Sequence, residues 1–211
     1  IDISTDKAVD PFNHYGVTKA CSEKMIINAS HNYITDTKFV CIRGGNVLGT
    51  NGSVIPLFKS QIISENTITV TDPSMTRYLM SKSEAIKLVF EAVKRSIGGE
   101  VFVMRMPATS VENIAKSMIS IFGNSETKIN IIGSRPGEKL DEVLVSRNES
   151  PYTKIIDDTY YVVLPQTKEK TIEESYSDFK LIETEEFNSR NATQIGETEL
   201  TKILKGEQWL V

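Results

Sequence analysis

The sequence predicts an α/β fold built around a parallel sheet, and two observations support this. Stretches rich in β-branched residues alternate with stretches of helical periodicity along most of the 211 residues. The strand-like run at 38–49 leads into a glycine-containing loop, which is typical of a buried strand in such a sheet. A chain of this length can also bury a sizeable core.

The elements follow from local patterns in chain order. Residues 1–5 indicate the end of a strand. Residues 15–32 predict a helix, because apolar side chains recur at three- and four-residue spacing. Further helices are expected at 54–64, 81–96, 110–123 and 196–206. Further strands are expected at 38–49, 68–72, 100–106 and 128–133.

The helix at 81–96 has the clearest ends. Ser81 or Ser83 can cap it, Glu84 supplies an acid in its first turn, and two glycines follow its last turn. By contrast, residues 166–193 are polar and acidic with little periodicity, so no element is predicted there.

Composition excludes several classes of protein. The net charge is −4 with no block of like charges, so neither a nucleic-acid partner nor an anionic membrane surface is expected. No apolar run approaches the roughly 18 residues that span a bilayer, and no signal peptide is visible, so we expect a cytoplasmic protein without a membrane partner. Two cysteines and two histidines are too few for a disulfide framework or a zinc site, and no metal is expected. We expect both thiols, Cys21 and Cys41, to be small buried hydrophobes.

Reactive side chains are dense near the start of the chain. Tyr15 and Lys19 are one helical turn apart, so both project from the same face. An ammonium at this spacing favours the phenolate form of a tyrosine, and the pair can then remove a proton from a sugar hydroxyl. Taken alone the motif is weak, because a Tyr and a Lys four apart often arise by chance.

The residues just upstream strengthen this interpretation. Thr5 closes an apolar strand, which places its hydroxyl at the carboxyl edge of a sheet, where open α/β folds bind ligands. Asp6 and Lys7 follow directly, an acid and an amine placed to act at neighbouring atoms of one substrate. The alternative for this pair is a surface salt bridge in a polar loop.

The segment STDKAVDPFNHYGVTKACSEKM (4–25) strongly resembles the extended short-chain dehydrogenase/reductase superfamily. Within that superfamily it is similar to the polysaccharide-biosynthesis family of nucleotide-sugar 4,6-dehydratases, in particular the inverting UDP-N-acetylglucosamine 4,6-dehydratases. Three later segments, 44–62, 68–81 and 133–146, match the same family in order. The resemblance covers roughly residues 1–165.

The resemblance implies a mechanism for the residues near the start of the chain. Tyr15, assisted by Lys19 and Thr5, would take the proton from the sugar O4 while the C4 hydride leaves for the cofactor. Lys7 would then remove the C5 proton, and Asp6 would protonate the departing 6-hydroxyl. Family members with Asp-Lys at this point invert C5, whereas retaining relatives carry Asp-Glu, so Lys7 favours inversion.

The later segments would bind the nucleotide sugar. The substrate-binding residues implied by the resemblance are Asn46, Val54, Ile55, Pro56, Arg77, Arg135 and Glu138. Asn46 would contact the sugar and first phosphate, and the backbone of 54–56 would pass close to the uracil. Arg77 and Arg135 are candidate diphosphate ligands, because a guanidinium grips phosphate with two parallel hydrogen bonds. Glu138 would hold a ribose hydroxyl.

The implied fold is a partial Rossmann-type parallel sheet with a smaller C-terminal α/β substrate-binding portion. Residues 1–50 would be the C-terminal part of the cofactor domain with the catalytic loop and helix. Residues 51–165 would mainly bind the nucleotide sugar, with some segments returning to the sheet, and 166–211 would form a polar tail with a terminal helix.

The implied cofactor is NAD or NADP, with Tyr15 and Lys19 in contact with it. No G-x-G-x-x-G occurs in this sequence, so we expect the glycine-rich turn and the residue that selects the cofactor to lie upstream. About four strand–helix units of about 30 residues each would precede this chain. The activity of the chain by itself is therefore in doubt.

Several alternatives stay open. A UDP-sugar 4-epimerase shares Tyr15 and Lys19 but has no need of the Asp6–Lys7 pair. A non-catalytic module that binds nucleotide sugars, or a purely structural protein, would need neither. For the leading interpretation the partner is a UDP-sugar, and the full-length form is expected to be a homo-oligomer.

Overall fold

The computed structural model describes residues 1–32, 36–50, 52–166 and 170–207, which belong to two compact units. The first unit comprises the described residues of 1–45, 81–106 and 143–188. The second comprises those of 46–80, 107–142 and 189–211.

The elements of the described residues are numbered in chain order. The strands are β1 (Asp2–Thr5), β2 (Cys41–Gly44), β3 (Asn46–Val47), β4 (Thr67–Val70), β5 (Thr76–Met80), β6 (Val101–Met104), β7 (Ala108–Ser110), β8 (Lys128–Ile131), β9 (Val143–Val145), β10 (Thr153–Ile155), β11 (Tyr160–Val163) and β12 (Phe187–Asn188). The helices are α1 (His14–Asn32), α2 (Val54–Glu65), α3 (Lys82–Arg95), α4 (Val111–Phe122), α5 (Lys170–Ser175) and α6 (Glu197–Gly206). Short 3-10 turns occur at Asp6–Ala8 and Ser150–Tyr152.

The first unit contains a five-stranded sheet in the order β1-β2-β6-β11-β10. β1, β2 and β6 are parallel, and Thr5 lies level with Gly44. Every residue of β6 and β11 is buried, as expected for central strands covered on both faces. α1 packs against β1, and α3 packs against β2 and β6. The predicted α/β class, with parallel strands in a Rossmann-like sheet, is confirmed.

The last two strands of this sheet run antiparallel, which the sequence pattern did not predict. β10 and β11 are joined by a short turn, in which Asp157 Oδ1 accepts hydrogen bonds from the N–H groups of Thr159 and Tyr160. Parallel neighbours need a crossover of a dozen or more residues, so a connection this short makes an antiparallel hairpin. The sheet is therefore mixed.

The ends of α3 confirm the sequence prediction. Ser81 Oγ accepts a hydrogen bond from the Glu84 N–H, and the Glu84 carboxylate accepts one from the Ser81 N–H. This reciprocal capping box satisfies two N–H groups of the first turn. At the other end α3 stops at Arg95, just before Gly98 and Gly99, both of which have positive φ.

The second unit is built around α2, α4 and α6. α4 packs against both other helices, and α2 and α4 also pack against β4. Two small sheets complete the unit, one with the order β3-β5-β7 and one that pairs β4 with β8 in parallel. The largest fully buried side chains of this core are Phe58, Ile55, Ile68, Met75, Ile114, Met118 and Leu200.

The two cysteines behave differently from each other. Cys41 is buried in β2, and burial raises the pKa of its thiol to about 12, so it stays protonated. Cys21 is exposed on α1, so the prediction of two buried thiols was wrong for this residue. The apolar spacing that predicted α1 places residues on more than one face, and Val17 and Met25 are also exposed.

Among the residues that the structure describes, none of the helices combines the length and the apolar character needed to span a bilayer. The same residues hold no group of three or more His, Cys, Asp and Glu side chains that could bind a metal ion.

Candidate active site

β1 ends at three polar side chains, Thr5, Asp6 and Lys7, which we call the polar cluster. Thr5 is the last residue of β1, and Asp6 and Lys7 begin the first 3-10 turn. Thr5 caps this turn, because its Oγ accepts a hydrogen bond from the Lys7 N–H at 3.4 Å. The cluster thus lies at the carboxyl end of a parallel strand, where open α/β sheets bind ligands.

Asp6 is at the centre of the polar cluster. It is completely buried, and its Oδ1 accepts hydrogen bonds from Thr5 Oγ and Lys7 Nζ, each at 2.9 Å. Its other oxygen, Oδ2, is buried and has no hydrogen-bond partner among the described residues. Buried polar atoms are normally hydrogen-bonded, so this oxygen is available to a ligand. The Lys7 side chain is 31% exposed and can also reach a ligand.

α1 begins beside the polar cluster because residue 16 is glycine. A Cβ at Gly16 would lie 2.2 Å from the Lys7 carbonyl oxygen and 3.1 Å from Pro11 Cβ. Asn13 fixes the same turn of helix, since its Oδ1 accepts a hydrogen bond from the Gly16 N–H at 2.9 Å. The first turn of α1 therefore contacts the backbone of the 3-10 turn, and Tyr15 is part of that first turn.

Tyr15 and Lys19 lie on α1 as the spacing predicts. Tyr15 is 54% exposed, and its hydroxyl has no hydrogen-bond partner among the described residues. Lys19 Nζ donates a hydrogen bond to the Ile3 carbonyl oxygen of β1 at 2.7 Å, which uses one of its three N–H groups. A phenol and an ammonium are thus held one helical turn apart beside β1, a donor set that suits a ribose or a sugar hydroxyl.

A buried ionic cluster that sequence analysis did not single out joins α1 to β2. Arg43 of β2 donates to both carboxylate oxygens of Glu23 at 2.8 and 2.6 Å and to both of Glu149 at 3.0 and 2.7 Å. A fifth hydrogen bond, 3.1 Å long, goes to the Leu144 carbonyl oxygen. The available signal was an arginine inside the apolar run FVCIR, because a charge in a buried strand needs a partner.

Arg43 and Glu149 of this ionic cluster stay charged at neutral pH. Burial lowers the pKa of Arg43, but hydrogen bonds and attraction from Glu23 and Glu149 outweigh it, and the net pKa lies above its ordinary value. Burial raises the pKa of Glu149, but Arg43 and the two Ser146 donors hold it below its ordinary value.

The second unit contains a cavity of about 230 Å³. Most of the predicted substrate-binding residues line it, namely Asn46, Val54, Arg77, Arg135 and Glu138. Its apolar wall is formed by Leu57, Phe58, Val70, Met75 and Val111. An apolar wall with a few convergent polar groups is the usual construction of a small-molecule site. The Oδ1 atom of Asn46 is buried and has no hydrogen-bond partner among the described residues, so it can accept one from a ligand.

The two arginines of the cavity differ in what they already bind. Arg77 donates to the carbonyl oxygens of Thr76, Leu140 and Lys139 at 2.7, 3.1 and 3.0 Å. Its guanidinium therefore fixes the 139–140 segment against β5. Arg135 is exposed, and its guanidinium has no hydrogen-bond partner among the described residues. Arg135 is the more available of the two to an anion.

Glu138 belongs to a tight turn with Arg135. Its N–H donates to the Arg135 carbonyl oxygen at 3.1 Å, and its Oε2 accepts from the Arg135 N–H at 3.3 Å. Gly137 has a φ of 86°, a left-handed conformation that favours glycine. The turn therefore places one acidic and one basic side chain of the RPGEK motif on the same cavity wall.

The two remaining predicted residues, Ile55 and Pro56, are at the start of α2. They form its first turn together with Val54, and the N-cap residue Ser53 makes no side-chain cap hydrogen bond. The Ile55 side chain is 2% exposed and belongs to the core, so only its backbone is placed for a ligand. The binding roles of all these residues stay predictions.

Similar proteins place this arrangement in a family. A family model described as "Polysaccharide biosynthesis protein" matches residues 1–164. The chain is 47% identical over 161 residues to the capsular polysaccharide biosynthesis protein CapD of Staphylococcus aureus, an alignment covering 75% of this chain and 27% of that protein. It is 37% identical over 207 residues to a UDP-glucose 4-epimerase of Rickettsia bellii, covering 97% of this chain and 60% of that protein.

Solved structures agree with the sequence relatives. The structure of Pen from Bacillus thuringiensis superposes with a TM-score of 0.85 at 33% identity, covering 97% of this chain and 61% of that chain. A UDP-glucuronic acid 4-epimerase from Bacillus cereus, in complex with UDP-glucuronic acid and NAD, superposes with a TM-score of 0.56 at 26% identity, covering 65% of this chain and 49% of that chain. The chain thus spans only part of the length of each relative. It belongs to the family whose model is described as "Polysaccharide biosynthesis protein".

Proposed function

We propose that this chain is the catalytic and substrate-binding portion of an NAD(P)-dependent enzyme that converts a UDP-N-acetylhexosamine to a 4-keto-6-deoxy sugar nucleotide with inversion at C5. The observation that carries the proposal is the contact between Lys7 and the buried Asp6 at the end of β1. A 4,6-dehydration needs an acid and a base at neighbouring carbons, and this pair supplies both.

Tyr15 begins the reaction in this proposal. With Lys19 one turn away and the Thr5 hydroxyl at the end of β1, it takes the proton from the sugar O4. A bound nicotinamide cofactor would supply the oxidation at C4 and the reduction at C6. Tyr15 and Lys19 fit such a group, because the phenol hydroxyl and two N–H groups of Lys19 have no hydrogen-bond partner among the described residues. NAD and NADP are both compatible with these residues.

Asp6 and Lys7 perform the elimination. The new 4-ketone acidifies C5–H, the Lys7 amine takes that proton, and protonated Asp6 gives a proton to O6, so water leaves. Afterwards Lys7 is an ammonium and Asp6 a carboxylate, which is the ion pair in the structure. Before the elimination, moving one proton from Lys7 Nζ to Asp6 Oδ1 across their 2.9 Å hydrogen bond converts this ion pair to the reactive pair of amine and carboxylic acid. After the elimination Lys7 gives its proton to the opposite face of C5, which gives inversion, and the proton that Tyr15 took from O4 passes through solvent to Asp6, so all three groups are restored without net uptake of a proton.

The cavity of the second unit would hold the UDP part. Arg135 is available for the diphosphate, Glu138 for a ribose hydroxyl, and the buried Oδ1 of Asn46 for a donor near the sugar. The UDP-glucuronic acid bound to the Bacillus cereus relative supports a UDP-sugar as the ligand class. The family resemblance further supports a homo-oligomeric cytoplasmic enzyme as part of this proposal.

A UDP-sugar 4-epimerase is the second candidate, because the Rickettsia bellii relative carries that name. Epimerisation uses Tyr15 and Lys19 but leaves Asp6 and Lys7 without a role. The test is incubation of the full-length protein with UDP-N-acetylglucosamine and NAD(P)+, followed by mass spectrometry of the sugar nucleotide. Loss of one water supports dehydration, whereas an isomer of unchanged mass supports epimerisation. Binding of UDP without any product would support a non-catalytic module.

A further inference from the structure

We propose that Arg43 is a positioning residue for the reaction, and that it acts through Glu23 to fix the helix stripe carrying Tyr15 and Lys19. The inference rests on the proposed function, in which Tyr15 is the proton acceptor. Tyr15, Lys19 and Glu23 follow one another at four-residue spacing on α1, so their side chains share one face of the helix.

The Tyr15 hydroxyl depends on its helix for position. It has no hydrogen-bond partner among the described residues, and its side chain is 54% exposed. Among the described residues, Lys19 Nζ makes a single hydrogen bond, which goes to the Ile3 carbonyl oxygen. Glu23 is held much more firmly, because its side chain is 3% exposed and both carboxylate oxygens bind Arg43. The firm anchor of the stripe is therefore Glu23.

Arg43 is itself immobilised. A guanidinium has five N–H donors, and all five are used, two on Glu23, two on Glu149 and one on the Leu144 carbonyl oxygen. Glu149 is fixed in turn by the N–H and hydroxyl of Ser146 at 3.0 and 2.9 Å. A guanidinium that binds a carboxylate on each side fixes both the direction and the distance of those carboxylates, whereas the ammonium of a lysine does not fix the direction.

The strand register connects Arg43 to the polar cluster. Arg43 of β2 pairs with Ser4 of β1, and the next pair is Gly44 with Thr5. Arg43 therefore lies level with the residue that comes just before the polar cluster. A buried ion pair is weak evidence for stability, because removing charges from water costs about as much as their attraction returns. Arg43 binds Glu23 on the stripe of α1 that carries Tyr15, and its strand pairs with β1, which ends at the polar cluster. This placement favours a role in positioning Tyr15.

The test compares Arg43→Lys with Arg95→Lys in the full-length protein. Arg95 is a matched control, since it also bridges two carboxylates of the same unit, Glu91 at 2.7 Å and Asp157 at 2.9 Å, but is 36% exposed. Small misplacements of catalytic groups can cost about a hundredfold in rate. For folded Arg43→Lys we therefore expect kcat to fall about tenfold or more with an unchanged KM for the sugar nucleotide. Arg95→Lys should change neither.

Amide hydrogen exchange of residues 12–23 provides a readout independent of activity. We expect faster exchange there in Arg43→Lys, with α3 unchanged as an internal reference. If Arg43→Lys does not fold, the triple variant Glu23→Met, Arg43→Met, Glu149→Met replaces it, because an apolar substitute for a whole buried ion cluster often keeps the fold.

The positioning role of Arg43 is overturned if folded Arg43→Lys, or the folded triple variant, keeps kcat within about twofold of wild type. Unchanged amide exchange of residues 12–23 in that variant would overturn it as well. A wild type that converts no UDP-N-acetylhexosamine would contradict the proposed function instead. In that case the exchange comparison still decides the role of Arg43.

Discussion

Lys7 Nζ lies 2.9 Å from the Oδ1 atom of a completely buried Asp6, directly after the last residue of β1. The side chains of two adjacent residues with opposite charges would normally extend into solvent, away from each other. Here the 3-10 turn and the cap from Thr5 hold the carboxylate inward, so the amine and the acid act as one unit.

Removing the amine should separate the two halves of the proposed reaction. In Lys7→Ala, proton removal from C5 loses its base, so we expect dehydration to fall by about a hundredfold or more. Oxidation at C4 depends on Tyr15 and should continue. The measurement is formation of water-loss product alongside absorbance of the reduced nicotinamide. Full dehydration by Lys7→Ala would remove Lys7 from the mechanism.

Gly16→Ala should damage the junction between the 3-10 turn and α1. The added Cβ would meet the Lys7 carbonyl oxygen at 2.2 Å, and that atom is backbone, so the helix start must shift. Overpacking of this kind costs about 1–3 kcal/mol in the free energy of unfolding. The control is Gly206→Ala, where a Cβ meets nothing within 4 Å. Equal midpoints in urea for the two variants would contradict the close approach.

Arg135 and Arg77 should differ when each is changed to alanine. Arg135→Ala should weaken UDP binding about tenfold without lowering the unfolding midpoint, because its guanidinium makes no hydrogen bond to any residue that the structure describes. Arg77→Ala should lower the midpoint as well, because three carbonyl oxygens each lose one donor. Calorimetric titration with UDP and urea unfolding measure the two effects. A loss of stability in Arg135→Ala would show that it too is structural.

Acid should destabilise the first unit through Glu149. The pKa of this partly buried carboxyl is held below its ordinary value of 4.5, so the folded state gains stability above that pH and loses it as pH falls through the folded pKa. Glu149→Gln removes this dependence. We expect the variant to be less stable at neutral pH and its stability to decline less between about pH 5 and pH 3. If the stability of wild type and of Glu149→Gln declined in parallel as the pH fell, Glu149 would not be the source of this acid sensitivity.

Local patterns account for what the sequence predicted well. The capping residues and periodicity of α3 are read within about four positions of each other, and the helix formed where expected, with Ser81 as its cap. The same holds for the strand end at Thr5 and the start of α1. Five of the predicted substrate-binding residues line one cavity, and their binding roles stay predictions.

Contacts distant in sequence account for what was missed. Arg43 meets Glu23 across 20 positions and Glu149 across 106 positions, and no local pattern links them. The antiparallel β10 and β11 follow from a short turn in a segment without a distinctive motif. The exposure of Cys21 reflects which face of α1 contacts the sheet, which periodicity over several faces could not decide.

Proton NMR of UDP-N-acetylglucosamine, incubated in D2O with the full-length protein and NAD(P)+, tests the central claim most directly. The proposal predicts a 4-keto-6-deoxy product that carries deuterium at an inverted C5, because Lys7 exchanges its proton with solvent before returning one to the opposite face. A galacto-configured product without deuterium at C5 would contradict dehydration and make the chain part of a 4-epimerase.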